Sequence, residues 1–408
     1  MQGFEKVLII GKVWPEPKSS AAGARMMQLL DFFISKNCEV TFASTANESP
    51  FQEDLSNLNI RTQTIQLNDN SFDDFLSTIE PTAVVFDRFM TEEQFGWRVM
   101  EQFPDAIRIL NSEDLHGLRY ARQESIKIDG TLNNVDLFND KMAREVASIY
   151  RSDIALMVSE VEIELLEQQF GIPNHKLVYL PLFAGEMIEE SMSYNDRKGF
   201  LFIGNYWHEP NWDALRYLKI TIWPLIRASM KDAVIHVYGA YAGQKVMDFH
   251  SERDGFLVHG RTEDALEVTM NARISLVSLR YGAGIKGKVM EAMQVGTPVV
   301  KTDVGAESMT VDHRINGTIA NDPAEFAKAA IELYQSEEKW LKAQSIGYEI
   351  VSTKFNASTY SPSFELNLSD LAQNIKEHRK KDFTSFLIQQ QSLLSTKYLS
   401  KWIEEKNK

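Results

Sequence analysis

The segment Leu279–Lys301 reads LRYGAGIKGKVMEAMQVGTPVVK and decides the fold of this chain. An apolar run of strand length, Ile274–Leu279, leads into it. Three glycines then allow a sharp turn and a close backbone approach: Gly282, Gly284 and Gly287. A helix is predicted from about Lys286–Lys288 to Gly296, and Pro298 suits the first position of the next strand because it removes no ladder donor there. The predicted order is strand, glycine-rich loop, helix and strand.

The start of this helix has the chemistry of an anion site. Free backbone N–H groups and the positive end of the helix dipole follow the glycine loop. Lys286 and Lys288 add two charges, and Glu291 places a carboxylate about one turn further along. Cations for phosphate and a carboxylate for paired hydroxyls suit a nucleotide diphosphate sugar. The plainer alternative is a solvated helix face.

The segment resembles the donor-binding signature of family 4 retaining glycosyltransferases, which have the two-domain GT-B fold. It is similar to the variant Gly-x-Gly-x-Lys-x-Lys-x-x-Glu-Ala-Met-x-x-Gly-x-Pro-Val-Val, carried here by Gly282, Gly284, Lys286, Lys288, Glu291, Ala292, Met293, Gly296, Pro298, Val299 and Val300. The resemblance implies that Glu291 binds the donor ribose hydroxyls. The commoner pattern has a second Glu eight residues earlier, contacting the transferred sugar, where this chain has Ala283.

The resemblance also implies a set of site residues in this segment. We expect Lys286 and Arg280 to act in catalysis by neutralising the donor diphosphate. The donor-binding residues predicted here are Gly284, Ile285, Lys286, Gly287, Lys288 and Glu291.

Length and composition fit an α/β protein with two domains. The 408 residues, 44% of them hydrophobic, are enough for two cores of ordinary size. A single cysteine, Cys38, excludes a disulfide framework and favours a reducing compartment. The formal charge of −14 argues against a general nucleic-acid binder. The first residues lack a signal-peptide pattern and no stretch has the length of a membrane span, so a cytoplasmic location is expected.

The first half begins with a buried parallel strand, Lys6–Gly11, and a loop that leads into a helix from about Gly23. Open α/β folds bind ligands at such loops. In the resembling family this loop meets the donor phosphates or the acceptor, which makes Gly23 and Arg25 candidate donor-binding residues. We predict a first Rossmann-like domain over residues 1–190, on the acceptor side.

A second candidate segment follows a later strand, Ala106–Leu110. Asn111–Arg119 resembles a family segment of the form Asp-Thr-x-Asp-x-His-x-Leu-Arg, with Asn111 in place of the first Asp. His116 would then lie at the lip of the interdomain cleft and hydrogen-bond the donor sugar as a catalytic residue. The alternative is a helix cap or a buried structural histidine.

The second half repeats the strand-and-glycine pattern from Gly199 and predicts a nucleotide-sugar-binding domain over residues 198–360. Its donor-binding candidates at strand ends are Gly204, Asn205, Gly239 and Arg261. Many members of the resembling family carry an Arg and a Lys in the loop after Gly204, where this chain has Asn205 and Pro210-Asn211. A helix is expected to follow this loop from Ala214. We interpret this as relocation of the diphosphate-binding charge to Arg280, Lys286 and Lys288. No metal site is predicted, since no Asp-x-Asp pair or His/Cys cluster is found.

The chain is expected to cross back to the first domain over residues 361–382. An extra amphipathic helical tail is predicted over 383–408, next to the basic run Lys376–Lys381. The tail either packs on its own chain or contacts a membrane surface or a partner, which would place the protein at the inner face of a membrane or in an oligomer.

The sequence therefore predicts transfer of a hexosyl group from a nucleotide diphosphate sugar to a glycan, lipid-linked or protein acceptor, with retention and without a metal or other cofactor. Two alternatives stay open. One is a nucleotide-sugar epimerase on the same fold, and the other is a catalytically silent scaffold, suggested by Ala283, Asn205 and the tail.

Overall fold

The computed structural model describes residues 1, 3–188 and 192–390 and the single positions 398, 402 and 406. Two parallel β-sheets, each covered by helices on both faces, contain all thirteen strands of the described residues. The predicted α/β fold with two Rossmann-like domains is confirmed.

The first sheet has seven parallel strands in the order β3-β2-β1-β4-β5-β6-β7. They are β1 (Lys6–Gly11), β2 (Glu39–Ser44), β3 (Arg61–Thr64), β4 (Ala83–Asp87), β5 (Ile107–Asn111), β6 (Ile154–Met157) and β7 (Leu177–Tyr179). The order reverses between β1 and β4, so the carboxyl ends of these strands border a crevice.

Helices cover both faces of this sheet: α1 (Ala21–Ser35), α2 (Ser71–Ile79), α3 (Phe89–Gln102), α4 (His116–Asp129), α5 (Asp140–Arg151) and α6 (Glu160–Phe170). The strands β1, β4 and β5 are almost entirely buried, as unbroken aliphatic runs predict. Separate hydrophobic clusters fill the two faces, with Val7 and Ile9 on one and Leu8 and Ile10 on the other.

The second sheet has six parallel strands in the order β10-β9-β8-β11-β12-β13. They are β8 (Phe200–Ile203), β9 (Ile235–Tyr238), β10 (Phe256–Gly260), β11 (Ile274–Val277), β12 (Val299–Lys301) and β13 (Gly317–Ile319). The quoted segment supplies β12, and its glycine loop lies at the carboxyl end of β11, at the second switch point.

The helices of this half are α7 (Glu209–Tyr217), α8 (Trp223–Ser229), α9 (Gln244–Met247), α10 (Ala265–Asn271), α11 (Gly287–Gln294), α12 (Asp303–Ala306), α13 (Pro323–Gln335) and α14 (Glu337–Lys354). The predicted helix start at Ala214 is wrong. Helix α7 begins five residues earlier at Glu209, because Pro210 occupies its first turn, where a missing N–H costs nothing. Asn211 and Asp213 are therefore helical.

The last described helices are α15 (Ala357–Gln373), α16 (Ile375–Lys380) and α17 (Phe383–Gln390). Phe364, Leu368 and Leu371 of α15 are buried in the core cluster of the first domain, so the chain does return there. Within α17, Phe383 and Phe386 are exposed. The rest of the predicted tail, apart from three single positions, lies outside the described residues, and the predicted domain limits stay predictions. None of the described helices is long and apolar enough to cross a bilayer.

Candidate active site

The glycine-rich loop between β11 and α11 is pressed against the first domain. Gly284 has φ +65°, and a Cβ added there would lie 2.8 Å from Cβ of Asp114. A Cβ added at Gly287 would lie 2.8 Å from Cβ of Ala21 on α1. Ile285, between them, packs against the core of the second domain. Glycine is therefore needed at both positions so that the loop can close onto the opposite wall.

Lys286 lies just before the first turn of α11 and is only 6% exposed. Its Nζ donates to the carbonyl oxygen of Gly284 at 2.6 Å and lies 3.6 Å from Oε2 of Glu307. Burial lowers the pKa of this ammonium group. The charge is thus held at the loop by carbonyls and one carboxylate.

Lys288 and Glu291 lie one turn apart on α11. Nζ of Lys288 donates to Oδ1 of Asn211 at 2.6 Å, and burial lowers the pKa of Lys288 to about 8. Burial raises the pKa of Glu291, which Lys288 partly offsets. Among the described residues, no hydrogen bond or ion pair occupies the Glu291 carboxylate, so it is free to accept from a ligand.

Lys288 reaches the loop after β8, where the sequence lacks the Arg and Lys of the resembling family. A Cβ at Gly204 would lie 3.0 Å from Nζ of Lys288, and a Cβ at Gly239 would lie 1.9 Å from the carbonyl oxygen of Gly204. Asn205 donates from Nδ2 to the carbonyl oxygen of Ser19 at 3.2 Å, which joins this loop to the first domain. A cation therefore does lie beside Gly204, supplied from α11.

Two predicted arginines are placed elsewhere. Arg280 donates from Nε to Oδ2 of Asp213 at 2.9 Å, and this bond raises the pKa of Arg280. Arg261 pairs with Glu263, and its guanidinium lies 4.5 Å from the ring centre of Phe51 in the first domain. The role of Arg280 beside Lys286 and Lys288 in neutralising a diphosphate stays a prediction, and in this structure its guanidinium is bound to Asp213.

The first-domain loop candidates have structural contacts. Gly23 lets α1 approach the preceding loop, since a Cβ there would lie 2.4 Å from the backbone of Glu16. Arg25 is 2% exposed and donates to Oδ1 of Asn111 at 3.0 Å and to the carbonyl oxygen of Leu180 at 2.5 Å. In this structure Arg25 binds the end of β5 and has no surface for a donor phosphate.

His116 is the first residue of α4 and lines a cavity between the domains, while its catalytic role stays a prediction. Its Nε2 lies 3.3 Å from Oδ1 of Asp114, and burial lowers its pKa. Glu145 accepts from the backbone N–H groups of His116 and Gly117 at 2.8 and 2.6 Å, which fixes the start of the helix. Phe89 meets the imidazole edge-on at 5.5 Å.

Several carboxylates of the site were not predicted. Asp114 lies against Gly284; although burial acts to raise its pKa, Arg119 and His116 hold the pKa well below its usual range. Glu162 is 1% exposed and accepts from the N–H of Gly284 at 2.7 Å and of Leu115 at 3.1 Å. One carboxylate thus joins the donor loop to the segment that carries His116.

Ser159 and Glu162 have the spacing of a capping box at the start of α6. Ser159 accepts from the N–H of Glu162 at 3.3 Å, but the Glu162 carboxylate turns to Gly284. The sequence spacing predicts the local contact between Ser159 and Glu162, but it does not predict the distant contact of Glu162 with Gly284.

A second interdomain link involves Arg122 and Glu307. Arg122 donates to both carboxylate oxygens of Glu307, at 2.8 and 2.5 Å, and to the carbonyl oxygen of Gly282 at 2.8 Å. Glu307 follows β12 and lies at the end of α12. Through Arg122 and Lys286, Glu307 links the donor loop to α4 of the first domain.

A cavity of about 370 Å³ lies beside His116 between the domains. Rings from both domains line it: Phe89, Tyr120, Trp207 and Tyr281. Lys141 also lines it, with Nζ 4.3 Å from the ring centre of Tyr120. Within the described residues, no group of three or more His, Cys, Asp or Glu side chains is arranged to hold a metal ion.

Comparison with known proteins agrees with this architecture. Residues 197–336 match the family model for glycosyl transferases group 1. Sucrose-phosphate synthase from Thermosynechococcus elongatus superimposes with a TM-score of 0.68 at 14% identity, over 90% of this chain and 98% of that one. No curated protein matches the chain in sequence.

Two other similar solved structures are complexes with ligands. Staphylococcus aureus TarM (G117R mutant), in complex with fondaparinux, α-GlcNAc-glycerol and UDP, gives a TM-score of 0.67 at 9% identity, covering 91% of this chain and 100% of that one. Anabaena HepE in complex with UDP and glucose gives 0.65 at 13% identity, covering 90% and 99%. Identities this low establish the GT-B fold; together with the match over residues 197–336, they support a GT-B glycosyltransferase.

Proposed function

We propose that this protein is a retaining glycosyltransferase that moves a hexosyl group from a UDP-sugar to a hydroxyl acceptor. The observation that carries the proposal is the buried start of α11, within the segment that matches glycosyl transferases group 1. It brings together Lys286, Lys288 and the carboxylate of Glu291, which has no hydrogen bond to any described residue. The solved HepE and TarM complexes contain UDP, which makes uridine the first nucleotide to test.

Each side chain has a distinct task in this proposal. Glu291 accepts hydrogen bonds from the ribose hydroxyls, and Lys288, beside Gly204, binds the diphosphate. Lys286 lies at the N-terminal end of the helix and stabilises the charge that grows on the leaving phosphate. Positive charges that already lie where negative charge develops in the transition state lower the activation barrier, because the site does not have to reorganise during the reaction.

The chemistry needs no protein nucleophile. The glycosidic bond from the anomeric carbon to the β-phosphate oxygen breaks, and the acceptor oxygen bonds to the same face of that carbon. The acceptor proton passes to the leaving diphosphate. The lysines and the helix N-terminus neutralise the diphosphate, and we therefore propose turnover without a divalent metal.

We place the acceptor in the interdomain cavity next to His116. Aromatic faces from both domains suit the apolar faces of a sugar ring, and closure of the domains would exclude water from the transfer. Peripheral membrane contact through the tail is proposed only as a way to reach a lipid-linked acceptor, from the exposed Phe383 and Phe386 next to the basic run.

A catalytically silent scaffold is the second candidate, favoured by one observation. Ala283 is 8% exposed and belongs to a hydrophobic cluster of the first domain, so the position that carries a sugar-binding Glu in the commoner pattern is closed. A scaffold would neither bind nor turn over sugar nucleotides.

The two candidates are separated by a thermal-shift screen with UDP, GDP and ADP, followed by hydrolysis assays with the matching sugar nucleotides. We expect UDP to raise the melting temperature, because a ligand that binds only the folded state stabilises it by mass action. Slow release of UDP from UDP-glucose or a related donor supports a transferase. Interconversion of sugars would indicate an epimerase, and no binding by any nucleotide contradicts the proposal.

A further inference from the structure

Arg88 has a backbone conformation that is nearly reserved for glycine. It follows the last residue of β4 with φ +68° and ψ +158°. Its N–H donates to the carbonyl oxygen of Asn111 at 2.8 Å, and its own carbonyl oxygen accepts from Thr91. On the adjacent strand end, Glu113 also has a positive φ, +62°. Strain of this kind persists only where the surrounding structure enforces it, and it concentrates at functional sites.

The side chain of Arg88 is the exception among the arginines of the first domain. The others that are buried or half-buried are bound to carboxylates or carbonyls: Arg25, Arg98, Arg108, Arg119, Arg122 and Arg151. The guanidinium of the half-buried Arg88 has no hydrogen bond, ion pair or ring contact in the parts of the chain that the structure describes. Its N–H donors are therefore unused.

The neighbours of Arg88 belong to the candidate active site. The carboxylates of Asp87, Glu113 and Asp114 and the imidazole of His116 lie within electrostatic reach of its guanidinium. The next residue, Phe89, lines the interdomain cavity and touches the His116 ring. Arg88 thus lies among the charges of the candidate site, directly before a residue that lines the cavity, and no hydrogen bond among the described residues uses its guanidinium donors.

The donor loop of the second domain has no polar side chain at position 283, where the commoner family pattern has a glutamate. Ala283 has a methyl side chain, packed against the first domain. A sugar held between the walls would find no carboxylate at that point of the donor loop. A polar side chain of the first domain can supply the contact that Ala283 does not make.

We propose that Arg88 is a substrate-contacting residue that donates hydrogen bonds to the hydroxyl groups of the transferred sugar, beside His116. This inference rests on the proposed function, because it takes the sugar-nucleotide site for granted. The strained backbone aims the side chain at the sugar. Glycine would fit the same backbone without strain, so the arginine at this position is explained by its side chain.

The test is direct observation of the Arg88 Nε–H signal by NMR in ¹⁵N-labelled protein, with UDP and UDP-glucose as probes. The signal is identified by its absence from the Arg88→Lys variant. We expect it to shift on saturation with UDP-glucose and to stay in place with UDP alone. A stationary signal with UDP-glucose, or an equal shift with UDP, overturns the assignment. Binding of UDP-glucose without a shift of this signal contradicts the Arg88 role alone, whereas failure to bind either UDP or UDP-glucose contradicts the proposed function as well.

Two variants and a control separate contact from structure. We expect Arg88→Gly and Arg88→Lys to bind UDP within about twofold of wild type but to hydrolyse UDP-glucose at least about tenfold more slowly, the size of effect expected when a charged hydrogen bond is lost. The control is Glu80→Gly, which changes another positive-φ residue (φ +50°) at the end of α2, next to the amino end of β4. It should leave both values unchanged. A purely structural cation would be replaced by lysine, so wild-type hydrolysis in Arg88→Lys would contradict the proposal.

Discussion

The two walls of the cleft are built by different means. The second-domain wall is local: a loop and one helix turn supply Lys286, Lys288 and Glu291 within six residues, and glycines let the backbone approach. The first-domain wall is assembled from four separate elements, which bring Arg88, Asp114, Glu145 and Glu162 together. Glu145 and Glu162 are buried and accept from backbone N–H groups, Asp114 pairs with Arg119, and the guanidinium of Arg88 makes no hydrogen bond or ion pair among the described residues.

This difference explains what each wall does. A helix N-terminus with cations is an anion site before any ligand arrives, so the second wall suits donor binding. The first wall has carboxylates that fix loop ends, with His116 and Arg88 at its surface. It positions groups around the sugar and fixes the donor loop through Glu162 and Arg122.

The largest expected effect comes from the second wall. Replacing Lys286 by Met keeps the apolar stem and removes the charge that faces the leaving phosphate. We expect kcat to fall by about 10²–10³, the usual result of removing one preorganised oxyanion contact, with little change in UDP affinity. Steady-state kinetics of donor hydrolysis measure this. The matched control is Lys342→Met, an exposed lysine on α14. Equal kcat in Lys286→Met and wild type would show that the charge has no part in turnover.

A substitution of Glu291 should change the affinity for the donor and leave the turnover rate nearly unchanged. The ribose is held equally in the ground and transition states, so Glu291→Gln is expected to raise KM and leave kcat nearly unchanged. A charged hydrogen bond is worth roughly 1.5–3 kcal/mol, or about ten- to a hundredfold. Glu325→Gln on α13 is the control. A lower kcat with unchanged KM would place Glu291 at the reacting bond and refute the ribose assignment.

The second-domain motif was predictable because its residues are close in sequence. Helix period, glycine spacing and the lysines reveal it without tertiary information. Asp114 and Glu162 escaped prediction since their partners, Gly284 and Leu115, are distant in sequence. Arg25 was assigned to the donor because its loop fits the family, but only the structure shows it buried against Asn111. Arg280 was predicted to bind the diphosphate together with the lysines. Its contact with Asp213 could not be foreseen, because Asp213 was expected in a loop and instead lies in α7, which begins earlier than predicted.

Glu162 makes the contact between the walls sensitive to pH. Burial and the nearby Asp114 raise its pKa to about 7, while hydrogen bonds from Gly284 and Leu115 and the charge of Lys286 act the other way. A carboxyl with a raised folded-state pKa contributes stability that is present below its unfolded pKa of about 4.3 and is lost as pH rises through about 7.

We therefore expect Glu162→Gln to reduce the loss of stability between pH 5 and pH 8, by about 3 kcal/mol at most. Glutamine keeps one acceptor oxygen and has no charge to desolvate. Urea unfolding across this range compares the variant with wild type, and Glu164→Gln on the outer side of α6 is the control. Parallel stability curves for Glu162→Gln and wild type would contradict the titration of this group.

Two changes should have no effect on the donor site. Chelation by EDTA is expected to leave turnover unchanged, because the lysines and the helix N-terminus neutralise the diphosphate. Loss of activity that magnesium or manganese restores would disprove this.

Removal of residues 383–408 is expected to leave the UDP dissociation constant within about twofold of wild type, since every donor-site residue precedes the tail. Isothermal titration calorimetry measures it. A folded truncated protein that no longer binds UDP would move part of the site into the tail.

The central claim is that both walls form one sugar-nucleotide site. Hydrogen–deuterium exchange with UDP-glucose tests it in a single experiment, using peptides that cover residues 282–291 and residues 111–119. We predict slower exchange in both segments on binding, and with UDP alone slower exchange chiefly in the first. Protection confined to one wall with UDP-glucose, or protection of neither segment, would contradict the account.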